Sequence, residues 1–258
     1  MSAATQSVPS PASPGLVAAP WIHSAPNHGQ CWYSVPKPRW MGKAQLRCLK
    51  ESRLYQALAG HSKLLLVHRI LWRWRQHGRE ARPLREAGPA SLKPLLREFT
   101  LFSAGYTELR ELLGHERAHA LYSEMFLATG EMEMDWLWPS AETFLAGPEP
   151  LDGLLDYWTA YLRAYERMAV HEVLPVERGP GAALARTTVR GSLFHDVFHR
   201  LGCPELSPLV HRMEVAALNK LGAPLGVSVT VGCRQHGATW ECDFVFHPQE
   251  GPSVAKGP

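Results

Sequence analysis

The residues best suited to chemistry lie in the last third of the chain. On a helix expected over Ser207–Leu221, Val210, Met213, Ala217 and Leu221 form an apolar stripe. Glu214 falls inside that stripe, and His211 stands at its margin, three residues earlier on the same side. A carboxylate carried toward a core must be paired or protonated, because burial disfavours its charge. The two residues are therefore a candidate acid–base couple; the plainer expectation is an edge carboxylate that reaches solvent or binds Arg186 or Arg190. Cys242 belongs to a strand expected over Thr239–His247, where Trp240, Cys242, Phe244 and Phe246 share one face and Glu241, Asp243 and Val245 the other. A hairpin centred on His236-Gly237 sets Cys242 opposite Val231. A small buried thiol that only packs is the simpler role for Cys242.

Two histidine pairs at i, i+4 could take a metal. His115-Glu116-Arg117-Ala118-His119 has the H-E-x-x-H spacing, which on a helix turns two imidazoles to one side for zinc and leaves the glutamate as base. A third ligand would come from Glu131, Glu133, Asp135 or Glu142, while Gly114 and Arg117 favour an ordinary solvated helix face. His195 and His199 repeat the spacing on a helix over Ser192–Leu201, at and beyond the margin of a core side made by Phe194, Val197, Phe198 and Leu201. With His211 and Glu214 they would compose a His/His/His/Glu set if both helices turn inward. Zinc or iron suits such donors, and no cofactor is made obligatory. Trp136 and Trp138 alternate after a helix end, as either pocket wall or core.

These residues need a scaffold, and hydrophobic periodicity outlines one. Helical spacing runs from Lys43 to His77 with a break at Gly60, then a charged loop over Arg79–Pro89. Ser91 is placed as an N-cap with Pro94 in the first turn, and helix continues to Thr129 with interruptions near Gly105 and Gly114. Leu151–Leu174 carries the clearest apolar stripe. After Gly179-Pro180-Gly181, alternation marks a strand at Ala183–Arg190, and two short helices precede strands at Val227–Arg234 and Thr239–His247. The expected class is α+β: a helical part over 41–178, then a β-α-α-β-β module with a small antiparallel sheet over 179–248, forming one domain with the helices. Residues 1–40, rich in Pro, Ser, Ala and Gly, are expected to be a disordered leader, and 249–258 a disordered tail.

Composition narrows the partners. The 258 residues are 45% hydrophobic, enough for a real core, and no apolar run is long enough to span a membrane. The opening residues lack a basic and apolar signal pattern. Five scattered cysteines without a Cys-x-x-Cys point to a reduced, cytoplasmic protein. The net charge of +3 conceals fifteen Lys/Arg against three Asp/Glu between Lys37 and Arg97. That surplus could dock on the chain's own acidic body, hold an acidic protein partner, or merely be solvated; nucleic acid is disfavoured, since no recognition motif accompanies it.

The runs Arg186-Thr-Thr-Val-Arg-Gly191, Leu201-Gly-Cys-Pro-Glu-Leu206, His211-Arg-Met-Glu214 and Glu241-Cys-Asp-Phe-Val-Phe-His247 resemble the L-2-amino-thiazoline-4-carboxylic acid hydrolase-like family. The resemblance spans roughly Tyr106–His247 and is strongest from Arg186 onward. It implies a hydrolase that opens a C–N bond of a cyclic amidine or thiazoline-type heterocycle with water. Where the family pattern carries cysteines near the first strand's end and at the start of the helix motif, this chain has Gly191/Ser192 and His211, with Glu214 at the acidic position. His211, Glu214 and Cys242 would then carry the chemistry, and Arg186 or Arg190 would hold a substrate carboxylate. Two other functions stay open: a non-catalytic small-molecule-binding or carrier-docking protein of a biosynthetic pathway, and a zinc hydrolase through His115, Glu116 and His119.

Overall fold

The computed structural model describes residues 38–179, 183–236 and 239–249. The expected leader up to residue 37, Pro180 and Gly181 of the glycine-proline turn, the hairpin residues Gly237 and Ala238, and the tail after 249 lie outside them. The first helix, α1 (Arg39–Glu51), already contains Trp40, so helix begins before the expected leader boundary. α2 (Arg53–Ala57) ends ahead of Gly60, whose φ of 87° supplies the expected break before α3 (Lys63–Glu80). The supposed loop over Arg79–Pro89 contains a short helix, α4 (Arg82–Ala87), with Pro83 in its first turn. Gly105 does not interrupt α5 (Leu92–Leu113), because one glycine costs a packed helix only about 1 kcal/mol. Ser91 precedes that helix without a side-chain cap. Gly114, with φ 80°, does divide α5 from α6 (His115–Leu137).

After α7 (Ala141–Leu145), α8 (Pro150–Glu166) stops eight residues short of the expected Leu174. Ala169 takes φ 58°, and the chain turns into β1 (Glu172–Val173). The apolar residues there serve a sheet instead of a helix. β2 (Glu177–Arg178), β3 (Ala185–Arg190), α9 (Leu193–Arg200), α10 (Ser207–Gly222), β4 (Val227–His236) and β5 (Thr239–Pro248) complete the fold. Helices and a small antiparallel sheet thus make an α+β protein. The sheet order is β1-β3-β5-β4, with β2 also on β3.

Register decides which residues meet. Val189, Cys242 and Cys233 form one cross-strand row, and Thr187, Phe244 and Val231 the next, both facing the helices. The opposite face carries Arg190–Glu241–Arg234, with Thr188 and Arg234 on Asp243. Trp158 of α8 is fully buried against Phe244 and donates its Nε1–H to Thr187 Oγ1 at 2.8 Å. Trp138, Tyr161 and Tyr157 extend this aromatic cluster, and one continuous apolar core runs from Leu54 to Phe246. Each such side chain contributes roughly 1.5–3 kcal/mol on burial, so the helices and the sheet stand on shared packing.

Part of the basic surplus is answered within the chain. Arg69 and Arg73 of α3 converge on buried Glu108 of α5, with Nε–carboxylate distances of 2.6 and 2.9 Å, and both also reach Glu111. Arg53 pairs with Glu124 and Arg82 with Glu86. Among the described residues, no helix is long and apolar enough to cross a membrane.

Candidate functional site

α10 begins at Ser207-Pro208, where proline's missing N–H is harmless, and carries His211 and Glu214 one turn apart. Both are buried, at 2% and 3% exposure, and His211 Nδ1 lies 2.9 Å from Glu214 Oε2. A carboxylate oxygen accepts, so Nδ1 is the donor in this bond and Nε2 is left for another partner. That Nε2 is buried and has no hydrogen-bond partner among the described residues. The i, i+3 pairing expected of these residues is present. His211 is a core residue, however, not a marginal one, because Phe194 and Phe244 pack against its ring.

Gly191, at φ 71°, redirects the chain from β3 into α9. This places His195 inside, 3% exposed, where its ring stacks on Trp240 at 4.4 Å and lies 5.7 Å from that of His211. The expectation that His195 would sit at the margin fails because the sheet covers that flank of the helix. His199 does lie outside, at the rim of Trp240, and takes no part with His211 and Glu214. Burial, then the fields of His211 and His199, push the His195 pKa down to about 4, so its imidazole is neutral near pH 7.

Cys242 completes the inward row, with its Sγ 3.6 Å from His195 Nε2. Its cross-strand neighbour is Cys233, not Val231, and the two sulfurs form a disulfide with Cα atoms 4.1 Å apart. The hairpin closes between His236 and Thr239, one residue later than a turn centred on His236-Gly237. Moving the turn by one residue moves the register by two, which keeps the faces and changes the partners. The expectation of wholly reduced cysteines is corrected accordingly; Cys48 and Cys203 are free among the described residues. Four donors from four elements thus converge: one atom each of His195, His211, Cys233 and Cys242 lies within 4.8 Å of every other. Among the described residues this is the one group of three or more histidine, cysteine or acidic side chains so arranged. Cys233 was missed at the sequence level; its signal was nine-residue spacing from Cys242 across a turn, meaningful only in the correct register.

The other predicted residues stand apart. Arg186 and Arg190 share a face as expected, but it is the outer one, where they reach Glu177, Glu172 and Glu241. Strand alternation thus turns them away from His211 and Cys242, so they cannot hold a substrate there. Trp136 lies within α6, and Trp138 caps it as a buried member of the aromatic cluster. Trp138 also lines a cavity of about 510 Å³ beside Ala217 and Lys220, away from the four-donor cluster. His115 and His119 stack at 6.4 Å in the first turns of α6, and His115 lies 3.5 Å from Glu205. The acidic ligands expected for them do not reach: Glu131 is twelve residues on, about 18 Å along the axis. Glu133 bonds Gln45 and Asp135 pairs with Lys220.

Searches of family models, curated proteins and solved structures return no match to this chain. The likeness to thiazoline hydrolases therefore rests on the quoted residues alone.

Proposed function

We propose that the protein is a hydrolase-like small-molecule enzyme that opens a C–N bond of a cyclic amidine or thiazoline-type heterocycle at the His195–His211–Glu214–Cys242 cluster, in the cytoplasm. The observation that supports it is the buried His211 Nε2, backed through Nδ1 by Glu214 and turned to no other partner among the described residues. Such a nitrogen can take a proton from water as the oxygen adds to the ring carbon. Glu214 stabilises the imidazolium, which then returns the proton to the departing ring nitrogen as the C–N bond breaks. Trp240, half-buried over His195, offers a flat wall for a heterocycle.

The test is turnover of L-2-amino-thiazoline-4-carboxylate, followed by chromatographic loss of substrate. His211→Ala should lower kcat by about 10²-fold or more, and Glu214→Gln should lower it less, with native circular dichroism in both. Undiminished turnover in His211→Ala refutes the assignment. The absence of the family's cysteines at Gly191/Ser192 and His211 favours a second reading, a protein that binds the same compound without reacting. Saturable binding of the same compound without hydrolysis supports that one.

A further inference from the structure

We propose that His195, His211, Cys233 and Cys242, with the cysteines in the dithiol form, bind one zinc-class divalent ion that pins α9 and α10 to the β4–β5 hairpin. The proposal rests on the same cluster as the hydrolase reading, and it gives His211 Nε2 to the ion instead of to a substrate water.

Three independent features point to an ion. The first is donor type: two imidazoles and two thiolates are the set that tetrahedral zinc favours. The second is spacing. Zinc–sulfur and zinc–nitrogen bonds of about 2.3 and 2.0 Å set adjacent donors about 3.6 Å apart in a tetrahedron. Cys242 Sγ and His195 Nε2 are 3.6 Å apart, and all four donors fit within 4.8 Å. The third is the support behind the donors. Glu214 holds His211 Nδ1 as carboxylates do for metal-bound histidines, fixing the tautomer and aiming Nε2. That aimed nitrogen is buried and otherwise unpartnered among the described residues. Two thiolates would cancel the ion's charge, which matters where His195, His211 and Cys242 are buried.

The disulfide and the ion exclude each other. Opening the bond takes two electrons and two protons: two reductant thiols supply both and leave as their disulfide, whereas a phosphine supplies the electrons and takes the oxygen of one water, whose two protons go to the new thiols. Metal binding then releases both thiol protons. Reduction of Cys233–Cys242 is thus the step that creates the site.

The experiment uses the full chain without a histidine tag, reduced with a phosphine and titrated anaerobically with cobalt(II), then zinc(II). One equivalent of cobalt should give the intense visible bands of a tetrahedral thiolate site, and zinc should displace them. The disulfide form should take up neither. His211→Ala and Cys242→Ala should each abolish the bands, while Glu214→Gln should weaken affinity about 10–100-fold. The double variant His115→Ala/His119→Ala should bind normally. X-ray absorption of the zinc-loaded wild type should show two sulfur and two nitrogen neighbours, a readout that does not depend on any variant folding. Absence of stoichiometric uptake by the folded, reduced chain overturns the proposal, as does a coordination shell without sulfur. Zinc uptake without thiazoline turnover removes the hydrolase reading and leaves this one. Turnover by a reduced chain that binds no metal does the reverse.

Discussion

Acid should loosen this fold through His171, and the size of the effect follows from its surroundings. The ring is 8% exposed and packs beside Tyr165, with Nε2 3.0 Å from the carbonyl oxygen of Leu162. A carbonyl only accepts, so Nε2 bears the proton and donates it. Nδ1 is buried without a hydrogen-bond partner among the described residues, so a second proton would add charge facing no acceptor. Burial is the largest influence and, with the field of His211, pulls the pKa from 6.5 down to about 4 against the bond to Leu162. The unfolded chain retains the ordinary value. Between pH 6.5 and about 4 the unfolded state therefore binds more protons, and stability falls as pH falls. Carried to completion, the loss is about 3 kcal/mol, a large share of a net stability of about 5–15 kcal/mol. The assay is urea unfolding from pH 8 to pH 4 at constant ionic strength, in a chelator and with the disulfide intact. Wild type is compared with His171→Gln, whose amide can still donate to Leu162. The buried His195 contributes in the same direction to both proteins and cancels from the difference. Wild type should lose up to about 3 kcal/mol more than the variant over this range. Two curves that stay parallel would show that His171 titrates normally and refute the reasoning.

Thr187→Val keeps the shape of the inner sheet face but leaves the buried Trp158 Nε1–H unpaired, and should cost about 1–3 kcal/mol in urea unfolding. A change within error would mean that the tryptophan finds another acceptor. Cys203 is fully buried, and burial foremost pushes its thiol up to about 11, whereas Cys48 is partly exposed. Brief alkylation at pH 8 with peptide mapping should therefore label Cys48 and spare Cys203 until denaturant is added; early labelling of Cys203 would contradict its burial.

Local chemistry in the sequence determined a good deal. The α+β class, the strand at Thr239–His247 and its inward Trp240, Cys242, Phe244 and Phe246 follow from periodicities of 3.6 and 2, which are properties of the backbone itself. The His211–Glu214 pair was legible for the same reason, since three residues on a helix bring two side chains together whatever surrounds them. Long-range register was not legible. A turn displaced by one residue exchanged Val231 for Cys233 opposite Cys242, because neighbouring positions around a Gly-containing turn close a hairpin almost equally well from local preferences. Tertiary packing also decided which flank of α9 faces inward, burying His195 and leaving His199 outside. The sheet's alternation put Arg186 and Arg190 on the far side of the residues they were expected to serve. The continuation of α8 into a β-segment past Glu166 belongs to the same class: Val173 finds Val189 across the sheet, a partner that no window of local sequence contains. The convergence of two histidines and two cysteines from four elements was settled only by the packing of helices on a sheet, since the free energy that brings them together comes from Phe244, Trp158 and the rest of the shared core.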